Sequence, residues 1–268
     1  MPLNLSVIVT TYNSGETLES CLESVLGLEE RERPREIIVV DNDSSDDSPD
    51  IAESFPDVRL IRSKWNMGLA GANNLGAASA SGRSLLFLNP DTRVTEGCFE
   101  TLWNFEDSHP RAALLGPAMP DPSGSIQSTA RTWPTLLDIA LRRTPLGRIP
   151  GARGRLEKHL HPVPTNRPSR TDWIVGAAMW LTAAGRHTVG LMSEKYFLYF
   201  EDVEWCMRAA RKGMEVWYVP EAMIYHEGRR ESRRPGRALW LHLLSMVRFY
   251  SEYPMVAIGC GYGVSKKG

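Results

Sequence analysis

Covalent staples are scarce in this sequence. Its four cysteines, Cys21, Cys98, Cys206 and Cys260, stand 77, 108 and 54 residues apart, which matches neither paired zinc-ligand spacing nor the framework of a small secreted domain. Reduced thiols in a cytoplasmic protein are the expectation. No apolar run approaches the roughly 20 residues that a membrane-spanning helix needs. The opening MPLNLSVIVTTYNS lacks a basic segment ahead of its short apolar run, so it reads as a strand and not as a secretion signal. Net charge is missing too: 31 Lys and Arg face 32 Asp and Glu, −1 overall, which gives no electrostatic reason to expect a nucleic-acid partner. Two phosphate-cradling loops are also absent. GxxxxGK[ST] does not occur, and Gly68, Gly71 and Gly76 of MGLAGANNLG form no GxGxxG after the first strand. A P-loop NTPase is excluded and a dinucleotide-binding fold disfavoured, leaving those glycines to allow close helix packing or close approach of a ligand.

What is present is enough apolar material for a full core, 42% of 268 residues, so disordered and collagen-like classes are out and one large domain or two small ones are expected. Charge is unevenly placed. Residues 1–60 carry 14 acids and four arginines, whereas residues 141–170 carry eight basic residues and only Glu157.

Periodicity organises the first half. Leu5–Thr11 is a β-rich run, followed by Leu18, Cys21, Leu22, Val25 and Leu26 at helical spacing. EIIVV (Glu36–Val40), Val58–Ile61 and SLLFL (Ser84–Leu88) are further strands, with Gly71–Ala80 and Glu96–Asp107 helical between and after them. Strands alternating with helices predict an α/β fold with a mostly parallel, doubly wound sheet. In such sheets ligands sit beyond the carboxyl ends of strands, where this chain carries Thr11-Tyr12-Asn13, Asp41-Asn42-Asp43 and Asn89-Pro90-Asp91. From about Pro117 to residue 170 the sequence is rich in Pro, Gly and Arg and is expected to be irregular apart from Thr135–Arg142. Apolar packing returns at Asp172–Thr182, a helix is expected over Glu201–Lys212, a strand over Glu215–Val219 and a helix over Arg237–Tyr250. Residues 1–116 are read as a nucleotide-binding half, and residues 117–268 as the acceptor and catalytic half of the same domain.

Several residues have the chemistry for a site, each with an ordinary structural role open beside it. Asp91, after a strand, is a hard oxygen donor for a metal that neutralises phosphates, and Asn-Pro-Asp is equally good turn chemistry. Asp41 carries the same ambiguity. Glu201 and Asp202 follow an aromatic run at a helix start, where they suit capping and the helix dipole or, if desolvated, general-base work. His226, in IYHEG, is a structural histidine or a metal ligand.

The ordered set LSVIVTTYNS, IIVVDNDSSDDS, WNMGLAGANNLGA, LLFLNPD, GAAMWLT, YFLYFEDVEWCMRAARKG and YHEG resembles the family 2 inverting glycosyltransferases of the GT-A fold, and within them a bacterial rhamnosyltransferase-like branch. The resemblance covers roughly residues 3–250. It implies that the Thr10–Asn13 loop, including Tyr12, and Asp41 hold the nucleotide. Asn66, Gly68, Asn74 and Asn89 would line the sugar-diphosphate, and Asp91, with His226, would bind Mn²⁺ or Mg²⁺ there. Asp202 matches the catalytic base, and Glu201, Asp172 and Trp173 fall on the acceptor side. The indoles of Trp173 and Trp180 either stack on a sugar or pack in the core. Two departures stand out: Asn89 replaces the first Asp of the family's Asp-x-Asp signature, and Leu191-Met192-Ser193-Glu194 stands where relatives carry Phe-Asp-Glu.

The expected reaction is inverting transfer of a sugar, with dTDP-rhamnose as first donor and UDP-hexose or UDP-galactofuranose as alternatives, to a lipid-pyrophosphate-linked or polysaccharide acceptor in cell-envelope glycan synthesis. Arg142, Arg143, Arg148, Arg153, Arg155 and Lys158, with Arg229, Arg230, Arg233, Arg234 and Arg237, suit an anionic inner membrane surface or a solvated loop. Nucleotidyl transfer is disfavoured because residues 1–30 contain no Lys or Arg to meet a triphosphate. A non-catalytic sugar-nucleotide-binding or glycan-binding module remains the other class.

Overall fold

The computed structural model describes residues 3–160, 163, 164, 166–228 and 236–259. Strands and helices alternate first: β1 (Leu3–Thr11), α1 (Gly15–Leu26), β2 (Pro34–Asp41), α2 (Ser48–Glu53), β3 (Val58–Arg62), α3 (Gly68–Ser79), β4 (Ser84–Leu88), β5 (Thr92–Val94), α4 (Cys98–Ser108) and β6 (Ala112–Ala118). There follow β7 (Ala130–Arg131), α5 (Leu136–Arg143), a 3-10 turn (Pro145–Arg148), α6 (Pro150–Leu160), β8 (Ser169–Arg170), β9 (Trp173–Ile174) and β10 (Ala178–Leu181). The chain continues through α7 (Ala183–Thr188), α8 (Glu201–Arg211), β11 (Glu215–His226), α9 (Arg237–Glu252) and α10 (Pro254–Ala257).

Continuous apolar runs make the central strands, because strands covered on both faces need apolar side chains on both. Along β1, Val7 and Val9 meet Leu18 and Leu22 of α1 and Phe99 and Leu102 of α4 in one layer. Ile8, between them, joins Phe87, Leu114, Trp205 and Phe249 in the opposite layer. Helix α3 consists largely of small residues for a reason visible at Gly76, where a Cβ would lie 2.6 Å from Ile8 Cγ2. It packs directly on β1 and β2.

The main sheet has nine strands in the order β3-β2-β1-β4-β10-β6-β11-β5, with β8 beside β11. Strands β1, β2, β3, β4, β6 and β11 run in one direction, as the alternating pattern predicts; β10 runs against both its neighbours. Ala178 of β10 lies opposite Leu88, the last residue of β4. The chain therefore enters β10 from the edge where the parallel strands end, and residue 177 arrives beside Asn89.

Two expectations are corrected. Residues 117–170 are not irregular throughout, because 150–160 form α6 with Pro150 at its first position, where proline's missing N–H costs no bond. That helix is held by tertiary contacts that no local periodicity signals: Arg155 Nε meets Asp138 Oδ1 of α5 at 2.6 Å, and the buried His159 contacts Thr132 Oγ1 at 3.0 Å. Strand β11 also continues past Val219 to His226, since Ile224–His226 pair with β5. That continuation carries His226 to the Asn89–Asp91 turn. Cys21, Cys98 and Cys206 are buried free thiols, with Cys21 pushed up to about 12 by desolvation. Cys260 lies outside the described residues, as do Arg229, Arg230, Arg233 and Arg234.

Candidate active site

Three turns at the carboxyl edge of the sheet build one side of the site. After β1, Tyr12 and Asn13 are exposed. Asn13 takes a left-handed backbone, φ 51°, and its Oδ1 accepts from Ser45 N at 2.8 Å, tying this loop to the one after β2. Asp41 is buried, 4% exposed, and its carboxylate accepts longer bonds from Ser44 N at 3.3 and 3.4 Å. The turn role and a ligand role coexist in that geometry, since a carboxylate has lone pairs to spare.

Asn42, which lies between the two aspartates of DND, joins the next segment. Its N–H donates to Thr11 O at 2.9 Å, its Nδ2 donates to Asn66 Oδ1 at 3.1 Å, and its Oδ1 accepts from Met67 N at 2.8 Å. Asn66 Oδ1 in turn accepts from Gly68 N at 2.9 Å. Gly68 has φ +76°, and a Cβ there would sit 2.3 Å from Phe197 O. Glycine is required at that approach. Thr10 Oγ1 donates to Asn73 Oδ1 at 2.7 Å. Asn74 reaches away from the strand ends: its Nδ2 donates to Met192 O and to Glu194 Oε1, each at 2.9 Å, and its Oδ1 accepts from Met192 N at 3.1 Å. Both ends of its amide thus clasp the segment that leads to α8.

The opposite side centres on Asn89-Pro90-Asp91. Asn89 N–H donates to Ala177 O at 2.9 Å, and the neighbouring Gly176 N–H donates to Asp202 Oδ2 at 3.0 Å. Two hydrogen bonds on adjacent residues thus bring the Asp91 turn and the Asp202 carboxylate together. A Cβ at Gly176 would lie 3.3 Å from Asp202 Cβ, so the carboxylate packs tightly against this glycine. Across the turn, His226 Nε2 stands 3.5 Å from Asp91 Oδ2, with both side chains retaining some exposure. One oxygen and one imidazole nitrogen facing each other form a donor pair that suits Mn²⁺, and Mg²⁺ less closely. Among the described residues no group of three His, Cys, Asp or Glu side chains converges, so a cation held there would complete its shell with water or substrate oxygens.

Helix α8 starts abruptly. Tyr199 and Phe200 both have φ 66°, a strained choice for aromatic residues. The segment before them is braced by α9, where Ser245 Oγ donates to Leu198 O at 2.9 Å and Arg248 donates to Lys195 O; just past α9, Tyr253 Oη meets the Glu204 Oε1 side chain of α8 at 3.2 Å. Glu201 and Asp202 form the first turn. Burial, reinforced by the neighbouring Asp202 charge, pushes Glu201 up to about 8. Desolvation also raises Asp202, against the opposing pull of the Gly176 and Val203 N–H groups and the Arg131 charge. At neutral pH burial therefore favours the protonated form of Glu201.

The acceptor-side residues are packed more tightly than an open platform would be. Trp173 is buried, donates through Nε1 to Thr132 O at 2.7 Å, and carries Arg131 over its ring at 5.1 Å. Asp172 Oδ2 accepts from Trp133 N at 2.9 Å. Trp180 is fully buried and donates to Glu106 Oε2 at 2.7 Å. Both indoles are in the packed arrangement.

Glycosyl transferase family 2 matches residues 6–174, and N-acetylglucosaminyl-diphospho-decaprenol L-rhamnosyltransferase of Mycobacterium tuberculosis is 31% identical over 265 residues, 92% of this chain and 84% of that protein. The chain belongs to glycosyl transferase family 2. The dTDP-rhamnosyl transferase RfbF of Shigella flexneri is 23% identical over 229 residues, 84% of this chain and 70% of that one. Among solved structures, GalNAc-T7 with UDP, GalNAc and Mn²⁺ superposes with a TM-score of 0.66 at 19% identity, covering 98% of this chain and 52% of that one. At that identity the likeness is one of fold, the GT-A fold. In this family 2 glycosyltransferase, sequence reasoning missed Asn42, Asn73 and Gly176. Asn42 had a visible signal in its place between two strand-end aspartates; the other two act through partners far away in sequence.

Proposed function

We propose that this glycosyltransferase moves a sugar from a nucleotide diphosphate donor to an acceptor hydroxyl by a single inverting displacement, with Asp202 as base. The observation that carries this reading is the juxtaposition of the Asp91–His226 pair with Asp202 through the adjacent Asn89–Ala177 and Gly176–Asp202 hydrogen bonds. Leaving-group charge develops on one side of such a site and an acceptor proton departs on the other. The loops bearing Thr10, Tyr12, Asn13 and Asp41, beyond the carboxyl ends of β1 and β2, would receive the nucleotide, and Asn66 and Asn89 would face the diphosphate.

Asp91 and His226 would hold Mn²⁺ or Mg²⁺, which when bound neutralises charge on the departing diphosphate. Asp202, raised by desolvation, is closer than an exposed carboxylate to the basicity that proton abstraction from a hydroxyl requires. Its bond from Gly176 fixes the carboxylate orientation. With one carboxylate acting on the acceptor and no enzyme nucleophile required, the displacement inverts the anomeric carbon.

The first donor proposed is dTDP-rhamnose and the first acceptor a lipid-linked pyrophosphoryl sugar, by similarity to the mycobacterial and Shigella relatives. A lipid-linked acceptor makes peripheral docking on the inner membrane face a natural companion. Among the described residues no helix is long and apolar enough to cross a membrane, but α9 exposes Trp240, Leu244 and Val247 at 68%, 63% and 65%. That stripe and the exposed Arg148 suit an anionic lipid surface. The test is release of nucleoside diphosphate from dTDP-, UDP- and GDP-sugars, with Mn²⁺, Mg²⁺ or EDTA, in the presence of lipid-linked acceptor. EDTA-sensitive turnover of dTDP-rhamnose supports the reading. Turnover of UDP-hexose would replace the donor, and glycan binding without donor consumption would favour the non-catalytic module.

A further inference from the structure

Strand β6 does not stop at the sheet edge; it leads into a hairpin that returns along itself. Pro120 and Ile126 bridge across it, Asp121 Oδ1 accepts from Ser123 N and Ser125 N at 2.9 and 3.1 Å, and Gly124 supplies the left-handed turn at φ +83°. Gln127 lies on the returning arm, with its N–H on Met119 O at 2.9 Å. This hairpin grips His226 by its backbone: His226 N–H donates to Pro120 O at 3.1 Å, and Gln127 Nε2 donates to His226 O at 2.6 Å.

The second bond determines the orientation of the amide. A main-chain carbonyl only accepts, so the group facing it must be the NH₂ end, and Oε1 is the end that faces His226 Nδ1 at 3.2 Å. An amide oxygen only accepts in turn, so Nδ1 carries the proton. In a neutral imidazole the lone pair is then on Nε2, the atom 3.5 Å from Asp91 Oδ2. Two acceptors facing each other at that distance are suited to share a cation.

We propose that Gln127 is a positioning residue that holds His226 in its Nδ1–H tautomer and so directs the Nε2 lone pair toward Asp91. The proposal deepens the metal reading given above and rests on it only for its consequence, cation affinity. Outer partners of this kind orient ligating histidines, and their loss typically lowers metal affinity about 10- to 100-fold.

The test reads tautomer and affinity separately. Two-bond ¹H–¹⁵N correlation spectra of ¹⁵N-histidine protein resolve the rings of its six histidines, with the His226→Gln variant assigning the relevant pattern. The Nδ1–H pattern is expected in the wild type and a shift toward Nε2–H in Gln127→Leu. Mn²⁺ titration with dTDP present, followed by the paramagnetic signal of free Mn²⁺, should show affinity falling at least tenfold in Gln127→Leu. Retention of the Nδ1–H pattern in Gln127→Leu, or an Nε2–H wild type, overturns the proposal. If the tautomer shifts as expected but the wild type binds no Mn²⁺, the positioning role stands and the metal reading fails.

Discussion

Replacing Glu201 by glutamine should make the protein more stable at neutral and alkaline pH, by an amount that the burial of this residue sets. Glu201 is 4% exposed, its Oε2 is buried with no hydrogen-bond partner, and its carboxyl is pushed from 4.5 to about 8. A raised carboxyl pKa means that the folded state binds a proton which the unfolded state has already released. Stability is therefore lost as pH rises from about 4.5 and levels off above about 8. At ~1.4 kcal/mol per pH unit over that window, the wild type forfeits roughly 3–4 kcal/mol between pH 5 and pH 8 through this group. The substituted glutamine does not titrate, so the difference between the two proteins isolates the effect from every other ionisable group except the adjacent Asp202. With roughly 2–3 °C of Tm per kcal/mol in a chain of this size, the Tm gap in favour of Glu201→Gln should widen by about 6–12 °C from pH 5 to pH 8. Thermal unfolding followed by circular dichroism in buffers of matched ionic strength measures it. Parallel Tm curves from pH 5 to pH 9 would mean that Glu201 ionises freely in the fold, and would refute the reading that burial keeps Glu201 protonated at neutral pH.

Asp202→Asn should lower kcat by about 10²–10⁴-fold, the span of a lost general base, while calorimetric donor affinity stays within about threefold; equal loss of both in a folded variant would point to donor binding instead. Glu106→Leu removes the acceptor shared by Ser84 Oγ, Trp180 Nε1 and Ala183 N. It should cost about 3–5 kcal/mol in denaturant titration, because it strands buried donors. Gly68→Ala places a Cβ 2.3 Å from Phe197 O at φ +76°, and a loss of about 1–3 kcal/mol is expected, read by the same titration. Paired Leu244→Glu and Val247→Glu substitutions on the exposed stripe of α9 should reduce sedimentation with phosphatidylglycerol vesicles at least tenfold while leaving Tm unchanged; unaltered binding would remove that face from membrane contact.

Much of this protein was legible without coordinates, and the reason differs from element to element. SLLFL at residues 84–88 is a strand in sequence and in structure, since four consecutive apolar residues bounded by polar turns have few other ways to be buried. The turn residues Asp41 and Asp91 could be placed at strand ends because strands that are buried on both faces become polar only where they leave the sheet. Helix α6 was hidden because its support comes from Asp138 and Thr132, which sit on other elements. Gln127 was hidden because nothing in SIQST distinguishes a glutamine that grips a histidine 99 residues away.

The amino-acid sequence by itself determined the strand–helix alternation, the doubly wound sheet and the identity of the acids and histidine available for chemistry, since these follow from local periodicity and from which residues end each strand. Only the tertiary structure decided which of those groups meet. Antiparallel β10, inserted between β4 and β6, brings Gly176 to the edge where Asn89 follows β4, and the Gly176 N–H then holds the Asp202 carboxylate. The extension of β11 along β5 brings His226 within 3.5 Å of Asp91. Burial, a property of the whole packed assembly, raises the Glu201 and Asp202 carboxyls. A strand's direction in its sheet, its length beyond the core and the desolvation of a side chain all depend on contacts distant in the chain, which local sequence patterns do not encode.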